Sequence, residues 1–106
     1  MNRAVLSRVL RGRILKVLEI DYPRELSVDF VALTLSENGF PITPSLLEGH
    51  VAYLEEKGYL ESRRVGVDEA GIERRVIRLT ARGKDLLEGS IEPDPGVHCD
   101  GQKDRA

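Results

Sequence analysis

Four arginines sit as two pairs, Arg63-Arg64 and Arg74-Arg75, on either side of the turn-forming run Asp68-Glu69-Ala70-Gly71. The flanking segments, Tyr59 to Val67 and Ile72 to Leu79, read as two strands of a hairpin. If Val67 pairs with Ile72, Arg64 stands opposite Arg75, and Glu61 stands opposite Arg78. Like charges directly opposed cost a few tenths of a kcal/mol, up to ~1. An anion between them relieves that cost. The plainer reading is a solvated face, partly neutralised by Asp68, Glu69 and Glu73.

Little else in the chain suggests reaction chemistry. His50 lies on the apolar side of a helical segment and reads as a partly buried, satisfied histidine. His98 and Cys99 are adjacent, and two adjacent donors without a partner cluster do not make a zinc site. Glu55 and Glu56 are neighbours on one helix, where adjacent residues do not face each other. With no Ser/His/Asp set and no Gly-rich phosphate loop, the expectation is a binding protein, not an enzyme, with no cofactor and no metal.

The 106 residues are 41% apolar and 32% charged, and the formal net charge is -2. That length fits one domain whose small core is built from Leu, Val and Ile, since there is no Trp and only five other aromatic residues. A single cysteine cannot close an internal disulfide. No apolar run reaches membrane-spanning length, and the N-terminus lacks the apolar stretch of a secretion signal. The expectation is a cytoplasmic protein with no membrane partner. The near-neutral total hides blocks of charge. Residues 1–20 carry five basic side chains and one acid, 21–62 two and eight, 63–86 seven and four, and 87–106 two and five. Bulk charge therefore does not argue for nucleic acid, and the case rests on local patches.

Hydrophobic spacing positions these groups. Arg3 to Ile20 repeats apolar residues at intervals of three and four, with Leu6, Leu10, Ile14 and Val17 as its stripe and Val5 and Val9 beside it. So wide an arc suits burial within the monomer or in a homodimer. Arg3, Arg8, Arg11, Arg13 and Lys16 solubilise this helix, or line a nucleic-acid backbone or an acidic partner. Pro23 ends it. Ser27 caps a second helix through about Glu37, with Val28, Val31, Leu33 and Leu35 as its apolar positions, and Asn38-Gly39 closes it. Thr43 caps and Pro44 opens a third helix running from Ser45 to Lys57, with Leu47, Val51 and Leu54 facing inward and Gly58 at its end. After the hairpin, Thr80 caps a short helix from Ala81 to Glu88. Residues 1–88 thus form one domain. Residues 89–106, rich in Gly, Pro and acids, are expected to be a flexible C-terminal tail.

The order is three helices, a hairpin and a short helix. It carries the phrase His50-Val51-Ala52-Tyr53-Leu54-Glu55-Glu56-Lys57-Gly58-Tyr59-Leu60 and then Leu79-Thr80-Ala81-Arg82-Gly83. This resembles the winged-helix domain of the ArsR and MarR repressor types, over residues 3–88. A closer likeness, including the tail from Gly89 to Val97, is to small proteins of Mu-like phages and prophages. The resemblance implies a mainly α winged helix-turn-helix with a small antiparallel β-hairpin: a three-helix core, a two-stranded wing and a short C-terminal helix. It also implies a small transcriptional regulator of double-stranded DNA, usually dimeric. In that family the front of the third helix enters the major groove. The matching positions here are Thr43, Ser45, Glu48, Gly49 and Tyr53, while Arg63, Arg64, Arg74 and Arg75 of the wing would contact phosphate. No Arg or Lys precedes Lys57 in that helix, and Glu48 would face a phosphate-lined groove, where it could accept a hydrogen bond from a cytosine amine. ArsR-type metal sensors carry paired cysteines, which the folded part of this chain lacks. Winged helices also serve as protein-binding modules, so an accessory protein that binds a protein partner through its acidic third helix and wing is the alternative.

Overall fold

A computed structural model describes residues 2–67 and 71–99. The expected turn at Asp68-Glu69-Ala70 and the end of the tail, 100–106, lie outside the described residues. Four helices and three strands follow in the order α1 (Arg3–Ile20), β1 (Leu26–Ser27), α2 (Val28–Glu37), α3 (Pro44–Glu56), β2 (Leu60–Val67), β3 (Ile72–Leu79) and α4 (Ala81–Glu88).

Each helix begins on a side-chain oxygen that satisfies a backbone N–H the helix cannot bond itself. Asn2 Oδ1 accepts from the Val5 amide at 2.9 Å, Ser27 Oγ from Phe30 at 3.1 Å, and Thr43 Oγ1 from Leu46 at 3.2 Å. Thr80 has two roles. Its hydroxyl accepts from Gly83 N at 3.0 Å and donates to Gly58 O at 2.6 Å, which ties α4 to the end of α3. At that end Gly58 takes φ +84°, and the amides of Gly58 and Tyr59 return to the carbonyls of Glu55 and Leu54. The left-handed residue turns the chain straight into β2.

The sheet is antiparallel in the order β1-β3-β2. In the wing Val67 does pair with Ile72, which sets Arg64 opposite Arg75 and Glu61 opposite Arg78. A two-stranded wing was expected, but β1 adds a third strand, pairing Leu26 with Ile77 and Ser27 with Val76. Two residues are too few to show a period, so the sequence carried no sign of it.

Between the helices and the sheet lies one core in which Ile14, Leu15, Leu18, Val31, Leu35, Leu47, Val51, Leu54, Leu60, Ile77, Leu79 and Leu86 are closed to solvent. The expected stripe of α3, Leu47, Val51 and Leu54, is buried as read. Two helices are turned relative to expectation. On α1 the buried line is Leu10, Ile14, Leu15 and Leu18, and Leu6 is exposed. On α2, Leu33 points outward.

The tail is not loose along residues 89–99, which corrects the expectation for that stretch. The chain runs back over α1 and α3 and buries Asp94, Val97 and Cys99. The His98 amide donates to Arg8 O at 3.0 Å, and Arg11 Nη1 donates to Gly96 O at 3.1 Å. Gly12 makes room for this strap, since a Cβ there would lie 1.8 Å from His98 O. Burial of Val97 and Cys99 together with the Asp94 hydrogen bonds outweighs the ordering cost that Pro- and Gly-rich composition suggests.

Candidate nucleic-acid interface

The core of α3 is fixed by Leu47, Val51 and Leu54, and the opposite face, with Ser45, Gly49, Ala52 and Glu56, is exposed. Thr43 is exposed at its cap. A Cβ on Gly49 would meet nothing within 4 Å, so this glycine serves no packing need and leaves the surface low. Thr43, Ser45 and Gly49 therefore share one open surface at the front of α3.

Two other expected members of that surface are engaged elsewhere. Tyr53 lies on the flank toward α1 and the strap. The Arg11 guanidinium stacks 3.7 Å from its ring centroid. Its hydroxyl is so close to Gly96 that a Cβ there would fall 1.9 Å from it. Glu48 lies on the other flank and pairs with Arg75 of the wing at 3.2 Å. Farther along that flank Glu55 accepts two hydrogen bonds from Ser62, from N at 3.1 Å and from Oγ at 2.8 Å. Glu48, which the sequence set against a groove of phosphates, and Glu55 are the posts to which β3 and β2 are tied.

The wing arginines divide between the two faces of the ribbon, as alternation requires. Arg64 and Arg75 share the face that continues from Leu60 and Leu79, and Arg63 and Arg74 share the other. They also differ in partners. Arg63 grips Glu25 with both arms, Nε at 2.6 Å and Nη2 at 2.7 Å. This hydrogen bond holds the Glu25 carboxyl below its ordinary pKa, and the same bond raises that of Arg63. Arg78 pairs with Glu61, the neighbour predicted by register. Arg64 reaches Glu73 only at 3.5 Å and is well exposed. Arg74 is exposed, and no acid among the described residues pairs with it. Arg64 and Arg74 are thus the wing cations most available to an anion.

Behind the interface, the strap is held by one carboxylate. Asp94 Oδ2 accepts from the Tyr59 hydroxyl at 2.6 Å and pairs with Lys57 at 3.2 Å, while Oδ1 accepts from Gly96 N at 2.8 Å. Burial disfavours its charge. The bonds from Tyr59, Gly96 and Lys57 outweigh that and leave its pKa below the usual value. Tyr59, desolvated and facing this anion, is pushed up to about 12. Sequence reasoning missed Asp94, Arg11 and the Glu55–Ser62 bonds. Only the first left a local sign, because Asp-Pro-Gly is a turn in which the Asp side chain bonds the amide two residues on. His50 is half-buried as expected, and burial, then the nearby Arg11 charge, lowers its pKa. No group of three or more His, Cys, Asp or Glu among the described residues is placed to hold a metal, and no described helix is long and apolar enough to cross a membrane.

No protein-family model matches the chain, and no curated protein matches it. Solved structures do. PadR of Bacillus subtilis, solved in complex with operator DNA, superposes with a TM-score of 0.65 at 23% identity, over 88% of this chain and 54% of that one. A PadR-like transcriptional regulator of Bacillus cereus gives 0.64 at 20% identity, over 80% of each chain. A transcriptional regulator of Clostridium thermocellum gives 0.63 at 19%, over 81% and 82%. This chain spans about half the length of the Bacillus subtilis protein. The likeness establishes the winged-helix fold.

Proposed function

We propose that this protein is a small transcriptional regulator that binds double-stranded DNA as a homodimer in the cytoplasm. The observation that carries the reading is the pairing of an open α3 front, at Thr43, Ser45 and Gly49, with a wing held beside it by the Glu48–Arg75 bridge. A helix front of this kind enters the major groove while a wing follows the backbone. Thr43 and Ser45 offer hydroxyls to base edges or phosphates, and Gly49 permits close approach. Arg64 and Arg74 supply backbone contacts. Arg63 and Arg75 serve first as structural ties, and Tyr53 as a packing residue. Among repressor types, the PadR and PadR-like structures that superpose on the chain support a PadR-like arrangement over the ArsR and MarR types suggested by motif.

A second reading, a protein-binding module, is favoured by one observation: Arg63, Arg75 and Arg78 already have carboxylate partners, which leaves the wing less cationic than its sequence suggests. Fluorescence anisotropy with duplexes drawn from the DNA beside the protein's own gene separates the two. Binding should weaken with salt, and Arg64→Glu/Arg74→Glu should reduce affinity at least tenfold and flatten the salt slope by roughly two ions. Absence of duplex binding by the wild type at low salt overturns the DNA reading.

A further inference from the structure

We infer that residues 89–99 are an autoinhibitory strap, seated on a second phosphate-binding patch formed by Arg11, Tyr53 and Lys57, and that duplex DNA displaces it. The patch converges on one ring. The Arg11 guanidinium lies 3.7 Å and the Lys57 ammonium 5.5 Å from the Tyr53 centroid. Both cations direct their donors to the strap: Arg11 Nη1 bonds Gly96 O at 3.1 Å, and Lys57 Nζ pairs with Asp94 Oδ2 at 3.2 Å. The strap itself carries Glu92 and Asp94 and no lysine or arginine. A guanidinium and an ammonium bind carboxylate and phosphate oxygens alike. The strap's carboxylate and carbonyl oxygens thus occupy the donors that a phosphate backbone would use.

The patch adjoins the open front of α3. Gly49 and Tyr53 are four residues apart, so they are neighbours on one side of the helix. Two features make the strap a cover that can lift. It forms no helix or strand along residues 89–99, and a hollow of about 340 Å³ remains between Arg8 of α1 and Pro93, Pro95 and His98 of the strap. The closed form also leaves Arg11 Nε buried with no hydrogen-bond partner among the described residues. An unmade bond of this kind disfavours closure, and water or a phosphate oxygen supplies it once the strap is away. Burial of Val97 and Cys99 holds the strap down, and a polyanion that takes both cations offsets that. Strap and duplex then compete for Arg11 and Lys57, so by linkage each weakens the other. This inference rests on the duplex reading of the preceding section and adds to it a regulated second contact.

The test is fluorescence anisotropy with a mixed-sequence duplex across a salt series, on the full chain. Wild type is compared with Gly12→Ala, which sets a methyl against the His98 carbonyl and changes no charge, and with Asp94→Asn, which removes the carboxylate. Circular dichroism checks each for fold, and if one does not fold the other decides. An opened variant should bind roughly fivefold tighter at low salt, and its slope of log K against log salt should steepen by about 1.8, at about 0.9 for each released cation. Adding Arg11→Gln/Lys57→Gln to the opened variant should abolish that gain. Cys99 is the only cysteine and is buried, so in the wild type its reaction with a disulfide reagent should speed up when duplex saturates the protein. Wild-type binding with no gain in a folded opened variant, a gain that survives loss of both cations, or a Cys99 rate that duplex does not raise overturns the inference and leaves the duplex reading standing. No duplex binding by any of these proteins overturns both.

Discussion

Arg75 of β3 reaches Glu48 of α3 at 3.2 Å, and the same nitrogen donates to Ser62 Oγ at 3.3 Å. Ser62 in turn donates to Glu55, about two helical turns beyond Glu48 along α3. Glu55, Ser62, Arg75 and Glu48 thus form a chain of bonds that fixes the base of the wing along one flank of the helix. An acid that looks misplaced in a helix proposed to face DNA is, in this geometry, the anchor of an arginine.

The bridge is partly exposed, so its removal costs little stability, under ~1 kcal/mol after solvent screening. Its effect on binding is larger in kind. Glu48→Gln removes a negative charge from the groove side and frees Arg75 for phosphate. Affinity for random-sequence duplex should rise at low salt, and the slope of log K against log salt should steepen by about 0.9. Discrimination between specific and random duplex should fall, because the wing is no longer held to α3. Anisotropy titrations across a salt series measure both. An unchanged slope would show that Arg75 does not reach the backbone when released.

Asp94 and Tyr59 predict a stability plateau with two edges. The Asp94 carboxyl has a folded pKa below its ordinary 3.8. Its contribution is therefore fully present above that value and is lost as pH falls through the folded pKa. The Tyr59 hydroxyl is raised from 10.0 to about 12, so its contribution is present below 10.0 and is lost as pH climbs toward 12. Thermal melts across pH should show Asp94→Asn destabilised by roughly 1–3 kcal/mol at neutral pH, from the weakened bonds to Tyr59 and Lys57. The acid-side loss should shrink in that variant. Tyr59→Phe should lose the late phase in an ultraviolet titration of the tyrosines. A wild-type acid edge that persists unchanged in Asp94→Asn would assign it to other carboxylates.

What the sequence made legible follows from distance along the chain. Helix limits, caps and the wing register depend on neighbours within a few residues, and periodicity and turn chemistry carry that information. The bonds that give the interface its character span longer intervals. Arg63 finds Glu25 across 38 residues, Tyr59 finds Asp94 across 35, and Arg11 finds Gly96 across 85. A charge count treats Arg63 and Arg75 as equals of Arg64 and Arg74, because it cannot see which carboxylates the fold brings near. The strap was misread for the same reason. Gly, Pro and acids describe a segment without its own period, while Val97, Cys99 and Asp94 are buried by contacts with distant helices.

The strap also allows a prediction whose sign opposes helix propensity. In the middle of a helix, Gly→Ala ordinarily stabilises by roughly 1 kcal/mol. Gly12 lies inside α1, and a methyl group there would fall 1.8 Å from the carbonyl oxygen of His98. Backbone atoms on both sides leave no flexible group to move aside, so the strap must lift. Gly12→Ala should therefore lower thermal stability, release the His98–Arg8 hydrogen bond and expose Cys99, which is 4% exposed in the closed form. The rate of Cys99 modification by a disulfide reagent reads this directly, and it should rise well beyond any change in global unfolding. A stabilised Gly12→Ala with an unreactive thiol would mean that residues 89–99 do not close over α1 in solution, and the role assigned to Asp94 would fall with it.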